Sequence, residues 1–190
     1  MADNRIVIIG GSAGSIPALI TMMKDFPVDF RPPIIIVLHR SHADHSMLAE
    51  ILQKKTAIKV KEIQSFDTLN ENTIFLAPAD YHLLVNKNGK LELDYSEKVL
   101  YSRPSIDVSL ISFASAFGEK LIAIILSGAN SDGALGANLV KRQGGKLIVQ
   151  SPDDADSPTM PRESLKINPD ADAVVPANQI VNTLVKLINT

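Results

Sequence analysis

The chain has 190 residues, 45% hydrophobic and 21% charged, with a formal net charge of −2; that balance suits one folded domain spanning residues 1–190 and excludes a disordered protein. The small negative charge supplies no pull towards nucleic acid or anionic lipid, so neither is expected as a partner. The absence of cysteine removes disulfides, thiolate metal sites and cysteine nucleophiles together.

Taken in chain order, the short β-branched runs at residues 5–9, 34–38, 58–63, 73–76, 121–126 and 146–149 read as buried strands. The longest apolar runs, IIIVL and LIAIIL, fall far below the roughly 20 residues that cross a bilayer, and no charged-then-apolar leader precedes the first strand. The expected location is therefore the cytoplasm, without membrane insertion. Helical spacing of apolar residues follows the first strand (Ile16, Leu19, Ile20, Met23), recurs at Ile106, Leu110, Phe113 and Phe117, and closes the chain at Ile180, Leu184, Leu187 and Ile188. Ser15, ahead of Pro17, and Ser105, just after Pro104, mark helix starts. Two alternating runs around Asn88-Gly89 in HLLVNKNGKLELDY predict an antiparallel hairpin. Residues 151–164, SPDDADSPTMPRES, read as a surface loop near the carboxyl end of a strand. Strands alternating with helices predict an α/β fold: a doubly wound, mainly parallel sheet with helices on both faces and the hairpin as an addition.

The junction of the first strand and first helix is Gly10-Gly11-Ser12-Ala13-Gly14. Dinucleotide binding would need glycine where Ser12 and Ser15 stand, and a phosphate loop would need a lysine before Lys24. The G-x-S-x-G pattern instead turns a serine hydroxyl out at a strand tip beside a helix N-terminus, a nucleophile's position. The competing reading is that small residues here only let strand and helix approach closely. Partners decide between the two. Of the four histidines, His39 alone follows a buried-strand pattern directly, and functional groups in such sheets collect at the carboxyl ends of strands. Asp132, in the loop after LIAIIL, would lie on the same edge and orient the imidazole. Ser12, His39 and Asp132 are thus the candidate nucleophile, base and acid. Their order differs from that of α/β-hydrolases, in which the histidine comes last.

The segments IIGGSAGS, VLHRSHADHSMLAEIL, FLAPADYHLLV, RPSIDVSLISFA, IILSGANSDGALG and MPRES together resemble the catalytic domain of the chemotaxis protein-glutamate methylesterases (CheB type), over about residues 5–188. The resemblance implies a serine hydrolase that removes methyl esters from glutamate side chains of chemoreceptors and often deamidates selected glutamines, with no cofactor. It implies the same roles for Ser12, His39 and Asp132, and methylated cytoplasmic receptor helices as partner. The family usually has threonine where Ala13 stands and Gly-Met-Gly-Asn-Asp-Gly where residues 128–133 read GANSDG; these departures keep open a second reading, a non-catalytic or altered-specificity interaction module. The family's receiver domain would precede the first strand, which here begins at Arg5, so a separate regulatory protein is the alternative source of control.

Backbone N–H groups of Ala13 and Gly14, at the mouth of the first helix, are the expected oxyanion donors. Arg40, Arg103 and Arg162 are candidates for contacting an acidic receptor surface. His39, His42 and His45 form H-x-x-H-x-x-H around Asp44, but on a helix the first and third diverge, so no metal is expected. His82 reads as structural or rim-lining, Asp153, Asp154 and Asp156 as a solvated loop rather than a calcium site, and Met22, Met23 and Met47 as core residues.

Overall fold

The computed structural model describes residues 5–40 and 47–189; His42, Asp44 and His45 lie outside the described residues. Strand β1 (Ile6–Gly11) leads into α1 (Ser15–Asp25), β2 (Ile34–Leu38) into α2 (Leu48–Gln53), and β3 (Lys59–Glu62) is followed by β4 (Thr73–Leu76). The hairpin is β5 (His82–Val85) and β6 (Leu91–Asp94). It is followed by α3 (Ile106–Phe117), β7 (Leu121–Ile125), α4 (Ala134–Arg142), β8 (Lys146–Gln150), α5 (Thr159–Ile167), β9 (Ala173–Val175) and α6 (Ala177–Ile188).

Seven strands form one sheet in the order β3-β4-β2-β1-β7-β8-β9, parallel at every pairing. The hairpin pairs antiparallel as its own two-stranded sheet. From β1 the chain builds outward through β2 and β4, then returns to place β7, β8 and β9 on β1's other side. The direction of winding therefore reverses between β1 and β7, where an open α/β sheet leaves a crevice beyond its carboxyl ends.

Alternation along β1 divides the core. Ile6 and Ile8 face a cluster with Ile106, Leu110 and Phe113 of α3, Ala137 and Val140 of α4, and Leu83 and Leu91 of the hairpin. Val7 and Ile9 face Leu19, Met22 and Met23 of α1, Leu52 of α2, and Ile180 and Leu184 of α6. Strands buried on both faces are continuous apolar runs for this reason.

Two expectations change, and one strand is added that the sequence pattern did not indicate. The stretch read as a loop over 151–164 is irregular only to its middle, and α5 begins at Thr159; Pro161 sits in that helix's first turn, where its missing N–H is no loss. Strand β9 has only three residues, partly exposed at the sheet edge, too short for a periodicity. Met47 is not core: it is 64% exposed and precedes the first residue of α2.

Helices α3 and α4 meet where α4 carries Gly136. A Cβ there would lie 2.5 Å from Leu110 Cβ and 3.1 Å from the Asp107 carbonyl oxygen, so the glycine is retained for close helix approach despite its low helix propensity. Gly136→Ala should cost about 1–3 kcal/mol in urea denaturation, the range for overpacking a filled interface; unchanged stability would mean that the helices can separate freely.

Candidate functional site

Sheet register brings the three strand ends together. Gly11 pairs with Leu38 and Gly10 with Ile125. Beyond these pairs His39 N–H donates to the Gly11 carbonyl (3.2 Å), Ser12 N–H to the Ser127 carbonyl (2.9 Å), and Leu126 N–H to the Gly10 carbonyl (2.9 Å). Ser12 and His39 therefore leave neighbouring strands side by side, and the Asp132 loop follows from the third.

The turn carrying Ser12 is held by polar groups. Ser15 Oγ donates to the Ser12 carbonyl (2.7 Å) rather than capping α1 from outside. Gly14 occupies the N-cap with φ 75°, and a Cβ there would meet Asp156 Cβ at 2.5 Å, so this position requires glycine on both counts. Ser127 Oγ donates to the Ala13 carbonyl (2.7 Å) and accepts from Ser157 N–H (2.8 Å). Gln150 Oε1 accepts from Ser127 N–H (2.9 Å). No hydrogen bond among the described residues uses the N–H of Ala13 or Gly14, which leaves both as donors at the N-terminus of α1.

Asp132 is fully buried, and its carboxylate is saturated. Oδ2 accepts from Ile106 N–H (2.7 Å) and lies 2.7 Å from His39 Nε2. Oδ1 accepts from Ser105 Oγ (2.9 Å), Asp107 N–H (2.9 Å) and Gly133 N–H (3.1 Å). Three of these donors come from the start of α3, so the carboxylate occupies a helix N-terminus, where negative charge is favoured. Burial on its own would push the Asp132 carboxyl up; the His39 hydrogen bond and the N–H groups of Asp107 and Ile106 outweigh it and hold the group below its ordinary value. Because an ionised carboxylate only accepts, His39 donates through Nε2–H, and a neutral ring then keeps its lone pair on Nδ1.

His82 is also buried, and its nitrogens are committed: Nδ1 accepts from Ser105 N–H (3.1 Å) and Nε2 donates to the Glu97 carbonyl (2.9 Å). That is the structural role expected from its position. Of the arginines, Arg40 has a side chain only 5% exposed, donating to Glu62 Oε1 and to the Ala77 carbonyl (2.8 Å). Arg103 donates to the carbonyls of Tyr95 (3.1 Å) and Ser96 (2.6 Å) and stacks on the Tyr95 ring at 3.8 Å. Arg162 is exposed on α5. Of these three candidates, Arg162 is the one whose side chain has no hydrogen bond or ion pair among the described residues. No group of three or more His, Asp or Glu side chains suited to a metal occurs among the described residues, nor is any helix there long and apolar enough to cross a membrane.

The sequence did not single out Ser105, Asp107, Ser127 or Gln150 as site residues. All four are buried and polar, and their common signal is a polar residue inside an otherwise apolar pattern next to a strand or helix end.

The CheB methylesterase family model matches residues 7–184. The chain belongs to this family. A CheB relative from Methanosarcina mazei, named protein-glutamate methylesterase/protein-glutamine glutaminase 2, is 34% identical over 191 residues, covering 97% of this chain and 52% of that protein; the chain thus spans about half of that relative's length. A protein of Leptospira interrogans serovar copenhageni is 36% identical over 181 residues, 95% of this chain and 93% of its own. The crystal structure of the Thermotoga maritima CheB methylesterase catalytic domain matches with a TM-score of 0.92 at 33% identity, covering 97% of this chain and 98% of that one.

Removing the buried acceptor should be costly independently of any chemistry. Asp132→Ala strands Ile106 N–H, Asp107 N–H and the Ser105 hydroxyl, and should lose roughly 2–4 kcal/mol in urea denaturation at neutral pH. With its folded value depressed, Asp132 contributes its ionic stabilisation above the ordinary carboxyl value of 3.8 and loses it as pH falls through the folded value. In an Asp107→Asn background, which removes the second carboxyl that Asp132 raises, the difference between protein with and without Asp132 should therefore hold at neutral pH and shrink in acid below 3.8. A deficit that grows in acid would contradict this sign.

Proposed function

We propose that this CheB-family chain is a protein-glutamate methylesterase in which Ser12 is the nucleophile, His39 the base and Asp132 its orienting acid. The observation that carries the reading is the 2.7 Å contact of His39 Nε2 with the buried Asp132 carboxylate, beside the strand tip that bears Ser12. Nδ1 of neutral His39 takes the Ser12 proton as Oγ attacks the ester carbonyl. The resulting imidazolium is stabilised by Asp132. Free N–H groups of Ala13 and Gly14, with the α1 dipole behind them, receive the oxyanion. The tetrahedral species collapses, His39 returns the proton to the departing methoxide, and methanol leaves. Water then attacks the glutamyl ester of Ser12 with the same base, restoring the serine and freeing the glutamate carboxylate.

The substrate in this reading is the methylated cytoplasmic helix of a chemoreceptor, with the glutamine amide as a second leaving chemistry, and the site of action is the cytoplasm. Support for the methyl-ester and glutamine chemistry comes from the name of the Methanosarcina relative and from the methylesterase family, and the receptor helix is what the resemblance to the chemotaxis methylesterases implies. Exposed Arg162 is the candidate contact for an acidic receptor surface. Ala13 offers solvent a methyl group where the family usually has a hydroxyl; its carbonyl is still tied to Ser127, so the turn does not depend on that hydroxyl.

Methanol release from a methylated receptor fragment tests the proposal. Ser12→Ala and His39→Ala should each lower turnover by on the order of 10^4-fold, as in triads on other folds, and a fluorophosphonate probe should label Ser12. Parent-like turnover in Ser12→Ala would refute the nucleophile assignment, and a parent protein that neither releases methanol nor is labelled where an active control is labelled would favour the interaction module.

A further inference from the structure

Asp107, in the first turn of α3, is the second buried carboxyl of this region. It is 6% exposed, and its Oδ1 accepts from Gly136 N–H in the first turn of α4 (2.7 Å). Its own N–H donates to Asp132 Oδ1 (2.9 Å). Asp132, just ahead of α4, receives the first N–H groups of α3, while Asp107, inside α3, receives one from α4. Each carboxylate caps the other's helix, and the Asp107 N–H bond to Asp132 Oδ1 ties the two acidic residues together at the crossing.

The groups that face this pair from the packed elements are few. The α4 side contributes the N–H groups of Gly133 and Gly136, and the end of β2 contributes His39 through Asp132. Strand β5 contributes His82, whose Nδ1 is occupied by Ser105 N–H. Among the described residues no lysine or arginine forms an ion pair with either carboxyl.

We propose that Asp107 is a positioning residue of the hydrolytic site, adding a second buried negative charge next to the residue that holds His39, so that His39 is more readily converted to imidazolium in the transition state. The inference rests on the assignment of His39 and Asp132 given above. Burial, opposed by Gly136 N–H and assisted by the Asp132 charge, pushes the Asp107 carboxyl from 3.8 up to about 6. A group raised in this way supports the fold while protonated and loses that support as pH rises through its folded value. Ionised Asp107 therefore weakens the fold in neutral and alkaline solution. An asparagine would keep the acceptor for Gly136 N–H without that cost, so what the carboxyl adds at this position is its charge, at the expense of stability.

A purely structural role predicts that stability and activity fall together; the proposal predicts that they separate. In the full chain, Asp107→Asn should raise the melting temperature at pH 8 and leave it little changed at pH 4. It should lower kcat for the methylated receptor fragment about tenfold, as expected for a nearby charge at an effective dielectric of about 20, with KM within about twofold. The acid limb of its kcat/KM profile should move to lower pH. Asp107→Ala, which also strands Gly136 N–H, should match that loss of kcat but melt below Asp107→Asn. Parent kcat in either variant, a loss confined to KM, or an Asp107→Asn protein that is less stable at pH 8 or fails to fold would overturn the inference. Ser12→Ala in the same assay keeps the readings apart, because its retained turnover would remove the underlying assignment whatever Asp107 does.

Discussion

A carboxylate removed from water is the constraint around which this protein is arranged. Asp132 has no exposed surface, and an ionised group in such a place is tolerable only when each lone pair finds a donor. Three donors come from residues 105–107 at the start of α3, and Gly133 N–H comes from the loop itself. This leaves His39 Nε2 to complete the shell. The same contact that satisfies the acid selects the histidine tautomer. Much of the local packing serves that junction: Gly136 lets α4 approach α3, and Ser105 at once caps α3 through Val108 N–H (3.3 Å) and donates to Asp132.

The sheet supplies the other half of the arrangement. Parallel register across β2, β1 and β7 makes the residues just beyond Leu38, Gly11 and Ile125 neighbours in space, at the place where the winding direction reverses. The small-residue turn after β1 is then pinned by Ser15 and by Ser127, whose hydroxyl is itself held by the loop ahead of α5. Rigid strands position it and hydrogen bonds lock it, which is what Ser12 needs in its proposed role as nucleophile if its approach to a carbonyl is to be controlled to a fraction of an ångström.

Strand-end reasoning made much of this legible, because a parallel sheet converts a linear pattern, apolar run followed by a chemical residue, into a spatial neighbourhood. The α/β class, the hairpin at Asn88-Gly89 and the closeness of His39 to Asp132 all follow from patterns of that kind. Less visible were features that depend on contacts between distant segments. Nothing in RPSID announces that Ser105 and Asp107 meet Asp132 from another loop. Arg40 and Arg103 look like surface residues in one dimension but are tied to Glu62, Ala77, Tyr95 and Ser96 once the chain folds. Helix α5 was hidden by prolines that mark a loop in general but are tolerated in a first helical turn, and Met47 fitted an apolar spacing that continues only from Leu48 onward.

The protonation pattern of His39 at neutral pH tests the arrangement most directly, and nitrogen-15 NMR of the imidazole reads it without reference to any substrate. The account predicts a ring protonated on Nε2, with that proton shifted far downfield by its bond to Asp132 and lost from this position in Asp132→Asn, while Nδ1 carries a bare lone pair. A neutral ring protonated on Nδ1 would leave no base to face the serine through that nitrogen and would contradict the account.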